Sequence, residues 1–136
     1  MRFIRTKQYQ QIAKLDSKFF PFDYPIVDWD SSILWLLKEG DEYIGYCGIK
    51  PLNSTECYLI RSGLKPSFRG NGLQKSMINL RVKWAKNNDY SFIVTDTATH
   101  NFPSINNLIA CRFKMFSPAY PWAGKSQLYW YKGLKR

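Results

Sequence analysis

Ser62-Gly63-Leu64-Lys65-Pro66-Ser67-Phe68-Arg69-Gly70-Asn71-Gly72-Leu73 joins two different periodicities. The residues leading into it, 56–64, are apolar and β-prone and read as a strand. The residues after it change period: Leu73, Met77, Leu80 and Trp84 step by 4, 3 and 4, with Lys75, Arg81, Lys83 and Lys86 on other faces. That spacing predicts an amphipathic helix over 73–86. Between strand and helix, Gly70 and Gly72 let the backbone approach a ligand closely, and the N–H groups heading the helix point into the loop. With the helix dipole and the fixed charge of Arg69, the loop suits a phosphate or pyrophosphate. A lone Gly-x-Gly is more often a plain turn, so the rest of the chain has to support this reading.

Upstream, residues 1–6 alternate apolar and charged and predict a short strand, and 8–15 place Tyr9, Ile12 and Leu15 at helical spacing. Residues 19–25 hold two prolines among aromatics, which disfavours regular helix and predicts a half-buried loop or broken helix. Two β-prone runs, 33–38 and 43–49, flank Glu39-Gly40-Asp41, a hairpin signal, and Asn53-Ser54-Thr55 turns the chain into the strand over 56–64. Downstream, Asn87-Asn88-Asp89 ends the helix, 92–97 reads as a buried strand, 104–111 as a helix and 128–131 as a terminal aromatic strand. Antiparallel hairpins followed by a βαβ unit predict an α/β fold (α+β in its mixed sheet) with helices on the sheet's faces. No repeat or linker divides the 136 residues, so one domain over 1–136 is expected.

Composition narrows the function classes. With 45% hydrophobic and 17% aromatic residues the chain can pack a core, which excludes wholesale disorder. The longest apolar run, Ile33 to Leu37, is about a quarter of a bilayer crossing. The N-terminus turns polar at once, so no signal peptide is expected. Cys47, Cys57 and Cys111 are odd in number and widely spaced, which argues against disulfides and zinc and for a cytoplasmic setting. The net charge of +10 is uneven: residues 1–68 hold 9 Lys+Arg against 8 Asp+Glu, residues 69–136 hold 11 against 2. The second half suits a polyanionic partner, a phosphorylated cofactor or nucleic acid, or simply a solvated basic surface.

The strand ending Leu64-Lys65-Pro66, the loop Arg69-Gly70-Asn71-Gly72 and the following helix resemble the signature of the GCN5-related N-acetyltransferase (GNAT) superfamily. Asn101-Phe102-Pro103-Ser104, followed by Leu108 and Phe113, is similar to its second element, Asn-x-x-Ser…Gly-Phe. The resemblance covers residues 43–113 well, and compact members of this length look like phage and bacterial proteins. It implies a central, mostly antiparallel sheet with one splayed parallel pair of strands, binding acetyl-CoA as co-substrate and passing its acetyl group directly to an acceptor amine. Under it, Leu64 contributes the N–H that polarises the thioester carbonyl. The amides of Arg69, Gly70, Asn71, Gly72, Leu73 and Gln74 hold the pyrophosphate, and Asn101 and Ser104 contact the pantetheine arm.

The chain departs from the family pattern at several positions. Gln74 stands where a small residue is usual, Arg112 stands where a glycine precedes the phenylalanine, and Leu108 aligns with the tyrosine many members use as general acid. A tyrosine of the C-terminal segment, Tyr120 or Tyr129, or water is then left to protonate the departing thiolate. An ammonium acceptor must lose a proton before attack. Glu56, thirteen residues before Arg69, stands at the spacing of the glutamate base in histone-modifying members, and His100, the only histidine, follows the strand over 92–97. Cys111 reads as a core thiol, and Arg61 either meets a cofactor or acceptor anion or pairs with an acidic residue on a neighbouring strand. Trp122, Tyr129, Trp130 and Tyr131 either shape an acceptor pocket or fill the core. The competing function is a basic nucleic-acid-binding or nucleic-acid-modifying protein on the same fold, with phosphates tracked by the basic half and bases stacked on aromatics.

Overall fold

The computed structural model describes residues 1–21 and 27–134. Its strands are β1 (Arg2–Thr6), β2 (Ile33–Glu39), β3 (Glu42–Pro51), β4 (Glu56–Leu64), β5 (Phe92–Ala98), β6 (Lys114–Phe116) and β7 (Gln127–Gly133). Its helices are α1 (Tyr9–Phe19), α2 (Leu73–Asn87) and α3 (Phe102–Ala110). Strand order is β1-β2-β3-β4-β5-β7-β6. The β1–β2, β2–β3, β5–β7 and β6–β7 pairs are antiparallel and β4–β5 is parallel, which is the mixed sheet expected. The chain groups into two compact units, Met1–Lys50 with Ile60–Leu73, and Pro51–Leu59 with Gln74–Arg136.

In the first unit the β2–β3 hairpin closes at Gly40, whose φ of 59° lies in the left-handed region that a tight turn needs. Leu34, Leu36, Leu37, Ile44 and Ile49 form its buried core. Gly63 on β4 is required by packing: a Cβ there would lie 2.6 Å from the Tyr46 ring. Tyr46 donates its hydroxyl to Asp16, and the Arg61 Nε donates to the same carboxyl at 2.9 Å. Arg61 Nη2 closes an ion pair with Asp16, and the guanidinium also lies 5.0 Å from the Phe20 ring centroid. Arg61 therefore meets a helix residue, not a strand neighbour. This contact buries Asp16 and explains why α1 continues to Phe19, past the expected end at residue 15. Of the predicted 19–25 loop, Phe19 closes the helix, Phe20 and Pro21 follow it, and residues 22–25 lie outside the described residues.

In the second unit β4 begins in register with β5, Glu56 opposite Phe92, Cys57 opposite Ile93 and Tyr58 opposite Val94. β5 then pairs with β7 along its whole length, from Phe92 opposite Gly133 to Ala98 opposite Gln127. Ile93, Thr95 and Thr97 alternate inward, and Trp130 donates its indole N–H to Thr97 Oγ1 at 3.0 Å. Trp130 and Tyr129 are core, the second of the two roles considered for them. Helix α2 stops where expected: Asp89 takes φ 67°, and Tyr90 N–H reaches back to the Ala85 carbonyl at 3.0 Å. β6 is the element that the sequence pattern does not show, three residues paired with Tyr129–Tyr131.

Candidate active site

The loop after β4 starts with one 3₁₀ turn, Pro66–Phe68, and reaches α2 through Gly70 and Gly72 at φ 83° and 80°. A Cβ built on either glycine meets nothing within 4 Å. Backbone twist, not crowding, therefore demands glycine, and the space beside the loop is open. Arg69 folds back so that its Nε donates to the Leu64 carbonyl at 3.0 Å, tying the loop to the buried last residue of β4. Leu73 and Gln74 are the first two residues of α2.

Asn101 is the N-cap of α3, and its side-chain oxygen accepts the Ser104 N–H at 3.4 Å. The Asn-x-x-Ser spacing thus joins the two residues at a helix head, which gives them a structural task in addition to any ligand contact. Leu108 is buried, so the position aligned with the family's tyrosine faces the interior. Arg112 keeps φ 68°, the left-handed conformation that the family's glycine would adopt freely.

Glu56 opens β4 and is half-buried. The turn before it holds it in place: Asn53 Oδ1 accepts the Glu56 N–H at 2.9 Å, and Asn53 Nδ2 donates to Glu56 Oε1 at 3.3 Å. Its side chain lines a cavity of about 720 Å³ together with Tyr58 on β4 and their register partners Phe92 and Val94 on β5. Leu52, Phe116, Trp122 and Tyr131 complete the wall, so Tyr131 and Trp122 do shape a pocket. Phe116 stacks edge-on to Tyr131 with centroids 5.6 Å apart, and Trp122 meets Tyr58 edge-on at 6.3 Å.

His100 lies exposed in the turn after β5, at the opposite end of that strand from Phe92, the partner of Glu56. The two acid–base candidates are not brought together. Tyr129 is also engaged: its hydroxyl donates to the Gly124 carbonyl at 2.7 Å and accepts the Ala123 N–H at 2.9 Å, while Tyr120 is exposed.

No local pattern in the chain announces the contact between Tyr58 and Asp96. The Tyr58 hydroxyl donates to Asp96, whose other oxygen accepts Gln127 Nε2 at 3.2 Å. Burial, and then the Asp96 carboxyl, hold the Tyr58 phenol well above the usual range, so it stays protonated. Register is the signal that finds this pair: Tyr58 faces Val94, and Asp96 is the next residue on the same face of β5. Burial pushes the Cys57 thiol up to about 12 and raises that of Cys111 as well, as expected of core thiols. Among the described residues no group of three or more His, Cys, Asp or Glu side chains could hold a metal ion, and no helix is long and apolar enough to cross a membrane.

A model of the acetyltransferase (GNAT) family matches residues 4–108. The chain belongs to the GNAT family. The fold of this GNAT protein is also that of an IAA acetyltransferase from Bacillus cereus ATCC 14579, at TM-score 0.83 and 14% identity over 98% of this chain and 99% of that one. Arabidopsis thaliana NAA60 in complex with a bisubstrate analogue aligns at TM-score 0.75 and 16% identity, over 97% of both chains. A GNAT family acetyltransferase from Elizabethkingia anophelis with acetyl-CoA bound aligns at 0.71 and 14%, over 98% of this chain and 97% of that one. No curated protein sequence matches. The alignments span β6 and β7 as well, beyond the segment that the family model covers.

Proposed function

We propose that this GNAT protein, acting as one domain over 1–136, transfers the acetyl group of acetyl-CoA to the nitrogen of an acceptor amine. The observation that carries the reading is the pair of left-handed glycines, Gly70 and Gly72, between the end of β4 and the first turn of α2. Such an alternation at a helix head forms a nest of backbone N–H groups for an anion. Arg69, Gly70, Asn71, Gly72, Leu73 and Gln74 hold the pyrophosphate there, with Asn101 and Ser104 on the pantetheine arm. The acetyl-CoA bound to the Elizabethkingia relative supports the choice of donor. When bound, acetyl-CoA supplies a thioester whose acyl carbon is open to an uncharged amine.

Strand geometry limits how the roles combine. Glu56 and Leu64 are the first and last residues of β4, eight steps of about 3.3 Å or roughly 26 Å along a straight strand. An amine attacking a carbonyl polarised at Leu64 is thus beyond hydrogen-bond reach of Glu56. In our reading Leu64 pairs with the pantetheine arm, and the carbonyl is polarised nearer the middle of β4. Glu56 receives the ammonium proton through water. The new C–N bond forms as the C–S bond breaks, and the thiolate departs without a side-chain acid, because a thiol of pKa about 8.5 is an adequate leaving group near neutral pH; it then takes up through water the second proton that the nitrogen sheds on becoming an amide. His100, at the far end of β5, is not needed for this path. The test is thiol release from acetyl-CoA against a panel of amines, with mass spectrometry of the product. Acetylated amine is expected, and thiol released with no acetylated product would replace transfer by hydrolysis.

A further inference from the structure

We infer that the cavity beside Glu56 takes a primary ammonium carried on a flat apolar body, an arylalkylamine in chemical class, as the acceptor; this deepens the acetyltransferase reading and rests on it for the acetyl step alone. Glu56 is the only charged side chain among the described residues that line the cavity. One carboxylate matches one ammonium. A polyamine would bring further positive charges to a wall without another carboxylate, five of whose eight residues belong to the half of the chain that carries most of the net +10.

Five of the eight lining residues are aromatic: Tyr58, Phe92, Phe116, Trp122 and Tyr131. Ring faces attract an organic cation, and they bury its apolar body at the same time. Tyr58 presents a ring here, because its hydroxyl is committed to Asp96. The rim carries apolar surface that the fold leaves in water, Phe92 at 47% and Leu52 at 49% exposure. A volume of about 720 Å³ lies in the range of small-molecule sites and suits one compact ligand.

The probes are 2-phenylethylamine, its uncharged analogue 2-phenylethanol, spermidine, and a short peptide with a free N-terminus, each titrated calorimetrically into the full chain without acetyl-CoA. We expect 2-phenylethylamine to bind at least about tenfold more tightly than the other three. In Glu56→Gln the amine should fall to the affinity of the alcohol, with alcohol binding and melting temperature unchanged. Trp122→Ala should weaken amine and alcohol together by about tenfold. Equal or tighter binding of spermidine or the peptide overturns the inference, as does an amine preference that survives Glu56→Gln. If the binding pattern is as expected and acetyl-CoA yields no acetylated 2-phenylethylamine, the ligand chemistry stands and the acetyltransferase reading fails.

Discussion

Replacing Gly72 separates a loop that merely turns from one that holds a phosphate. Gly72 sits at φ 80° with no atom within 4 Å of a built Cβ, so Gly72→Ala meets no clash and bears only the left-handed backbone cost, about 1–2 kcal/mol. For a chain of 136 residues that lowers the melting temperature by roughly 4 °C per kcal/mol. Gly72→Glu bears the same backbone cost and also places a carboxylate beside the proposed pyrophosphate. Two like charges about 5 Å apart near a protein surface repel by about 3 kcal/mol, which weakens CoA binding by about a hundredfold. Thermal melts of both variants, with calorimetric titration of CoA, give the comparison. The two should melt alike and differ in CoA affinity by about two orders of magnitude. A folded Gly72→Glu that binds CoA as tightly as the parent refutes the placement, and an alanine variant losing far more stability than about 2 kcal/mol refutes the open geometry.

Three further outcomes are expected. Glu56→Gln should lower kcat/KM by about a hundredfold between pH 6 and 9, and an unchanged rate across that range removes Glu56 as the proton acceptor. Asp16→Ala removes the carboxyl that pairs with Arg61 and accepts the Tyr46 hydroxyl, and because Arg61 is a quarter exposed we expect about 2–4 kcal/mol in urea denaturation, below the full cost of breaking a buried pair; a loss under about 0.5 kcal/mol would show that water replaces the carboxyl there. The Cys57 thiol, raised from 9.0 to about 12 by burial, keeps its proton in the folded chain while the unfolded chain loses it, so stability falls as pH rises from 9 towards 12, by about 1.4 kcal/mol per pH unit. Cys57→Ala should show a correspondingly shallower alkaline slope, and identical slopes would place the proton loss elsewhere.

The strand over 56–64, the glycine loop and α2 are readable from local chemistry, because each boundary is marked by a change of period or by a residue with a backbone preference of its own. The hairpin at Gly40 is legible for the same reason. The end of α1 is not, since Asp16 is buried through partners 30 and 45 positions away in sequence, Tyr46 and Arg61. β6 is three residues long and owes its pairing to β7, so no pattern of its own announces it. At the site, the resemblance to histone-modifying family members singles out Glu56, but its cavity is made of Phe92, Phe116, Trp122 and Tyr131, which only strand pairing gathers. Asn101 and Ser104 show the opposite case, a family spacing that also serves as a helix cap.

Calorimetric titration of acetyl-CoA into the full chain tests the donor assignment most directly. A saturable one-site isotherm is expected, accompanied by a rise in melting temperature that grows with ligand concentration. A flat isotherm and an unchanged melting temperature at millimolar acetyl-CoA would contradict it.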